Sequence, residues 1–178
     1  MNNVLNEMLT LTLPPLISGV LHMVFVTLNI LPQIKIPIHE KSFGKNKTWR
    51  GVILILITSV FGVWITKMFE QSWGTNLLQQ HSTINTGLLI GIGYAFPELP
   101  NSYWKRKKGI APGKTSEKNI LLHSIVDQAD SALGVCLVYL ALSLASTQVI
   151  LYTFFAGLFV HFFVNIALYF LKLRKNPL

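Results

Sequence analysis

Four of the chain's seven carboxylates, Glu98, Glu117, Asp127 and Asp130, are crowded into one segment with six cations, Lys105, Arg106, Lys107, Lys108, Lys114 and Lys118. Asp127 and Asp130 stand three apart in "VDQADSALG", a spacing that puts both on one face of a helix. They fall where an apolar run begins, and a carboxylate entering a membrane is costly and marks a functional site. A hard divalent cation such as Mg²⁺ is the natural partner, because it takes oxygen ligands and shares them with phosphates. The same two acids also suit the first turn of a helix, where the dipole favours negative charge. The residues alone leave both readings open.

A second basic segment, "LPQIKIPIHEKSFGKNKTWRG", precedes it. Gly44 and Gly51 bracket Lys45, Lys47 and Arg50, with the Thr48 hydroxyl and Trp49 between them. Such a stretch offers backbone N–H groups and cations to phosphates, and it equally suits an orienting loop with an interfacial tryptophan. It is not a Walker A loop, since the G-x-x-x-x-G-K-[ST] order is absent. His123, four residues before Asp127, shares its face if the helix extends back that far. His22 and His161 lie in apolar runs as packed, hydrogen-bonded residues, and Asn29 and Asn165 are expected to bond between helices.

Only 12% of the 178 residues are charged and mean hydropathy is +0.49, where a soluble domain carries about 25% charged residues. The apolar excess comes in runs, so the fold class is an all-α integral membrane protein, a single polytopic domain over 1–178. Five transmembrane helices are expected, at 11–31, 51–68, 82–96, 127–145 and 148–171, with two large cytoplasmic loops at 32–50 and 97–126. No basic region precedes the first run, which holds Pro14 and Pro15 and is read as a retained helix. The third run is short, and its Gly87 and Gly91 suit close packing within the protein. All Lys and Arg except Lys67 fall in the two loops and the tail after Leu171. Five spans put these three segments on one side, which the positive-inside rule makes the cytoplasm, with the N-terminus outside. The net charge of +8 thus serves topology and anionic lipid rather than nucleic acid. Cys136 is the only cysteine, which excludes an internal disulfide or a cysteine metal cluster.

In their order, "GKNKTWRG", "SYWKRKKGIAPG" and "DQADS" resemble the loop motifs of the archaeal CDP-archaeol synthases, relatives of the CDP-diacylglycerol synthases. The resemblance covers about Asn29 to Ser131. Pro97-Glu98 stands where the family carries Gly-Asp, and the His-Gly-Gly element of the larger bacterial enzymes is missing.

The resemblance implies a CTP-dependent nucleotidyltransferase of phospholipid biosynthesis. It would transfer CMP from CTP to a lipid phosphate, releasing pyrophosphate and leaving a CDP-lipid of the CDP-archaeol or CDP-diacylglycerol type. Glu98, Asp127 and Asp130 would hold one or two Mg²⁺. Lys105 and Arg106 would bind phosphates, joined by Lys47 and Arg50, and Ser102 would donate a hydrogen bond. CTP would arrive from the cytoplasm while the lipid tails stay in the bilayer. The competing class is a non-catalytic membrane protein whose basic loops bind anionic lipid or a partner; it accounts for the cations but not for the acids among them.

Overall fold

The computed structural model describes residues 2–112 and 120–173, with the side chains of residue 2 and of residues 120–124 excepted. Lys114, Glu117, Lys118, Arg174, Lys175 and the side chain of His123 therefore lie outside the described residues. The described chain is all-helical, with one isolated bridge between Pro37 and Thr48. Three of its helical stretches, Asn3–Thr27, Trp49–Trp73 and Thr147–Phe170, are long and apolar enough to cross a membrane.

α1 (Asn2–Thr27) begins well before Leu11, the expected start of the first span, and carries Pro14 and Pro15 in its interior. Polar residues dilute the hydropathy of its first turns, although Leu5, Met8 and Leu9 keep helical spacing. It stops short of the expected Leu31 because Asn29 and Leu31 adopt left-handed backbone, at φ 52° and 54°, and Pro32 follows. The connection to the next long helix holds a single turn, α2 (Glu40–Phe43), capped by the His39 side chain. Around it the chain folds back on itself: Ile38 N–H donates to Lys47 O at 2.9 Å and Trp49 N–H to Ile36 O at 2.9 Å. This clasp fixes Lys47 immediately before α3 (Trp49–Glu70), whose first turn is capped by Thr48.

α4 (Thr83–Ala95) has only 13 residues. The 97–126 segment, expected as a loop, instead starts with a helix, α5 (Glu98–Lys107). The charge order favours it, with Glu98 in its first turn and Lys105, Arg106 and Lys107 in its last, as the helix dipole prefers. Pro100 lies in the first turn, where a missing N–H costs nothing. α6 (Ile120–Ala141) begins ahead of the expected Asp127, and a short turn leads to α7 (Thr147–Phe170), capped by Ser146.

The five long helices close into a ring. α1 packs on α3, α3 on α4, α4 on α6, α6 on α7, and α7 returns to α1. Without a hydrophobic drive between helices in lipid, small and hydroxyl residues carry these contacts. Ser18 of α1 bonds Thr58 and Ser59 of α3 at 3.0 and 2.8 Å. Gly87 and Gly91 of α4 lie against Val60 and Leu56 of α3, the internal packing expected of that motif. Gly93 of α4 meets Gly134 of α6 so closely that a Cβ on Gly134 would stand 2.0 Å from the Gly93 carbonyl oxygen. The apolar core lies toward the end of the bundle remote from α5, around Leu11, Val63, Ile90, Val135 and Tyr139. There the Tyr139 hydroxyl donates to Leu11 O at 2.6 Å. α2 and α5 pack together over the opposite end.

Candidate functional site

Beneath α2 and α5 the ring opens into a cavity of about 660 Å³. Eight of the ten residues singled out from the sequence line it: Lys47, Thr48, Glu98, Ser102, Lys105, Arg106, Asp127 and Asp130. They come from three elements, the clasp, α5 and α6, and each is placed by a local cause. The clasp presents Lys47. The helical spacing of α5 turns Glu98, Ser102 and Lys105 to one face. α6 carries Asp127 and Asp130 opposite that face.

Lys47 pairs with Glu98, whose other oxygen accepts from Ser131 Oγ at 3.0 Å. Burial alone would push the Glu98 carboxyl up, yet the Lys47 ammonium and the Ser131 hydroxyl hold it below the usual range. Burial would likewise lower Lys47, but Glu98 raises it. Lys105 pairs with Asp127. The Asn101 amide donates to Asp127 Oδ1 at 2.7 Å and to Asp130 Oδ2 at 2.9 Å, so one side chain spans both carboxylates. Ser131 N–H donates to Asp130 Oδ1 at 2.6 Å. Asp127 lies seven residues into α6, beyond the first turn where the dipole acts. Helix-end acids therefore do not account for this pair.

Arg106 differs from the other cations that line the cavity. Its Nε and Nη1 are buried and have no hydrogen-bond partner among the described residues, although it lines the cavity. Buried donors left unpaired are costly unless a ligand satisfies them.

Two expected phosphate ligands do not line the cavity. Lys45 is exposed on the clasp. Arg50 is buried in the first turn of α3 and donates to Asn29 Oδ1 at 2.8 Å, tying α3 to the turn after α1. Other lining residues were not expected at the site: Asn101 and Ser131, which bridge the carboxylates, Tyr94, and His22, His161 and Asn165, which were expected only as packed or interhelical residues. Tyr94 Oη and His161 Nε2 are 3.1 Å apart. Below the charged rim the wall turns apolar, with Leu16, Val20, Ile55, Val164 and Leu168. The cavity is thus charged at its mouth and oily at its base, as a site for an amphiphile must be.

Among the described residues no three of His, Cys, Asp and Glu form a group that would hold a metal ion unaided. Mg²⁺ needs no such cage: it binds through one or two carboxylates and completes its shell with water and substrate phosphate. Asp127 and Asp130, linked by one amide, are a donor set of that kind, although Asp127 is paired with Lys105 as Glu98 is with Lys47.

The family model described as CarS-like, CDP-archaeol synthase, matches residues 3–178. No curated protein and no solved structure matches the chain. With essentially its whole length covered, the chain belongs to the CarS-like, CDP-archaeol synthase family.

Proposed function

We propose that the protein is a membrane cytidylyltransferase that transfers CMP from CTP to a lipid phosphate in the cavity beneath α5. An oxygen of the lipid phosphate attacks the α-phosphorus of CTP. The bond from that phosphorus to the oxygen bridging the α and β phosphates breaks, and its electrons leave with pyrophosphate. The nucleophile is already ionised at neutral pH, so no general base is required. The work is positioning and charge neutralisation. The observation that carries this reading is the guanidinium edge of Arg106, buried and without a partner among the described residues, in a cavity with an apolar wall.

Arg106 and Lys105 grip the phosphates of CTP, and Ser102 donates to them. Lys47, held in place by Glu98, meets the lipid phosphate from the clasp. Asp127 and Asp130 would hold Mg²⁺, which supplies charge stabilisation at the reacting and leaving oxygens. The lipid chains lie along Leu16, Val20, Ile55 and Leu168. In this reading α1, α3, α4, α6 and α7 all cross the membrane, with the basic clasp and α5 cytoplasmic and the N-terminus outside.

The test is CDP-lipid and pyrophosphate formation by purified protein given CTP, Mg²⁺ and a panel of lipid phosphates with ether-linked isoprenoid or ester-linked acyl chains. Arg106→Gln removes a charged hydrogen-bond donor, an interaction of about 1.5–3 kcal/mol, so kcat/KM falls roughly ten- to a hundred-fold. Asp127→Asn abolishes the response to Mg²⁺. Absence of turnover by the wild type on every lipid, or full activity of Asp127→Asn, overturns the reading.

A further inference from the structure

α5 has two working faces, and only one of them belongs to the cavity. Glu98, Asn101, Ser102 and Lys105 recur at the spacing of one helix face and line the site. The other side presents Tyr103 and Trp104, which are 43% and 57% exposed. One turn on, Lys107 Nζ stands 5.5 Å from the Tyr103 ring centroid and Lys108 Nζ 5.1 Å from that of Trp104. These two stacked pairs hold both ammonium groups at the outer surface beside an aromatic ring. The only acid in α5 is Glu98, which faces inward to Lys47, so the outer face of this helix carries cations and aromatic rings and no acid.

Its depth follows from the preceding helix. The 13 residues of α4 rise only about 20 Å, against a hydrocarbon core of about 30 Å. α5 starts at Glu98, just after α4 ends at Ala95. A helix joined so closely to so short a span sits at headgroup level and not out in water. Tyr and Trp favour that level, and anionic headgroups there complement the lysines.

We propose that the outer face of α5, formed by Tyr103, Trp104, Lys107 and Lys108, docks on the anionic headgroup layer of the membrane that holds the protein. Docking braces the helix from behind, so that its inner face keeps Glu98, Ser102 and Lys105 in the cavity. The inference rests on the proposed crossing of the membrane by α4 but not on the proposed reaction, and its test needs no turnover.

The full chain is reconstituted in phosphatidylcholine vesicles with and without phosphatidylglycerol, either lipid carrying bromine on its acyl chains near the headgroup. The emission difference between wild type and Trp104→Phe isolates the Trp104 signal. If Trp104→Phe fails to fold, a chain retaining Trp104 alone, with Trp49, Trp64 and Trp73 changed to Phe, gives it directly. Brominated phosphatidylcholine quenches this signal, and brominated phosphatidylglycerol quenches it in excess of its mole fraction, with an enrichment of about five-fold per lysine. The double variant Lys107→Gln, Lys108→Gln loses the excess and keeps the quenching by phosphatidylcholine. A Trp104 signal quenched by neither lipid, as when the face is open to water or covered by a protein, overturns the inference. So does an anionic excess that survives in the double variant.

Discussion

Lys47 reaches Glu98 across the cavity from the clasp before α3, so a single ion pair couples the first basic segment to α5. The pKa directions give this coupling a pH signature. Glu98 is lowered from 4.5, because Lys47 outweighs the cost of burial. Its contribution to stability is therefore complete above about 4.5 and lost as pH falls through the depressed value. Lys47 is raised from 10.5, so its share is complete below about 10.5 and lost as pH rises through the elevated value. Thermal unfolding in detergent should show no contribution from this pair to pH dependence between those limits. Glu98→Gln should lower stability at neutral pH by about 1–3 kcal/mol, the cost of a charged hydrogen bond, and flatten the acid limb. An acid limb unchanged in Glu98→Gln would remove the pair from the account. At this scale most of the site was legible: acids and cations crowded into one segment mark it without any structure. What stayed hidden was pairing. Nothing in the order of residues says that Lys47 takes Glu98, or that Asn101 spans two carboxylates contributed by another helix.

α5 explains why. Read as a loop, residues 98–105 show no periodicity; read as a helix, Glu98, Asn101, Ser102 and Lys105 line up on one face, and Asn101 becomes a site residue at once. Charged residues and Pro100 masked the helix from hydropathy, whereas the dipole-matched order of its charges could have revealed it. The early start of α6 was hidden in the same way, because hydropathy marks where apolar residues accumulate, not where helical hydrogen bonds begin. The seam between α4 and α6 was not marked in the sequence, where Gly87 and Gly91, which face α3, gave the packing signal. In three dimensions Gly93 and Gly134 bring two backbones together there, one turn along α6 from Asp130. Gly134→Ala puts a Cβ where it would stand 2.0 Å from the Gly93 oxygen and 2.3 Å from Pro97 Cγ, so α4 and α6 must separate. Overpacking of this kind costs about 1–3 kcal/mol, a drop of roughly 2–10 °C in the melting temperature. Because Pro97 leads into α5, turnover should fall further than stability alone explains. A melting temperature and a KM for CTP both equal to wild type would show that the seam relaxes freely.

Across the whole molecule, hydropathy and the placement of lysine and arginine agree on five crossings, while length and composition alone qualify three helical stretches among the described residues. The difference lies in α4, and in α6, whose first residues fall outside the described side chains. α4 is too short to span the hydrocarbon by itself, and a short helix is tolerated at membrane depth only where protein surrounds it. The ring supplies that shielding: α3 covers the Gly87 and Gly91 side of α4, and α6 covers the Gly93 side. α6 in turn carries its two aspartates on the cavity side rather than toward lipid. The proposed five crossings would place the clasp and α5 on one side of the membrane, and the α3–α4 and α6–α7 connections on the other. A membrane-impermeant maleimide can check this in sealed cells, because the native Cys136 is only 8% exposed and stays out of its reach. Single cysteines at the exposed positions Lys41, Gln80, Ala111 and Gln148 sample all four connections. Gln80→Cys and Gln148→Cys should label in intact cells, and Lys41→Cys and Ala111→Cys only after permeabilisation. Labelling of Gln80 and Ala111 from the same side would mean that α4 does not cross, which is incompatible with the clasp and α5 meeting across one cavity mouth through Lys47 and Glu98.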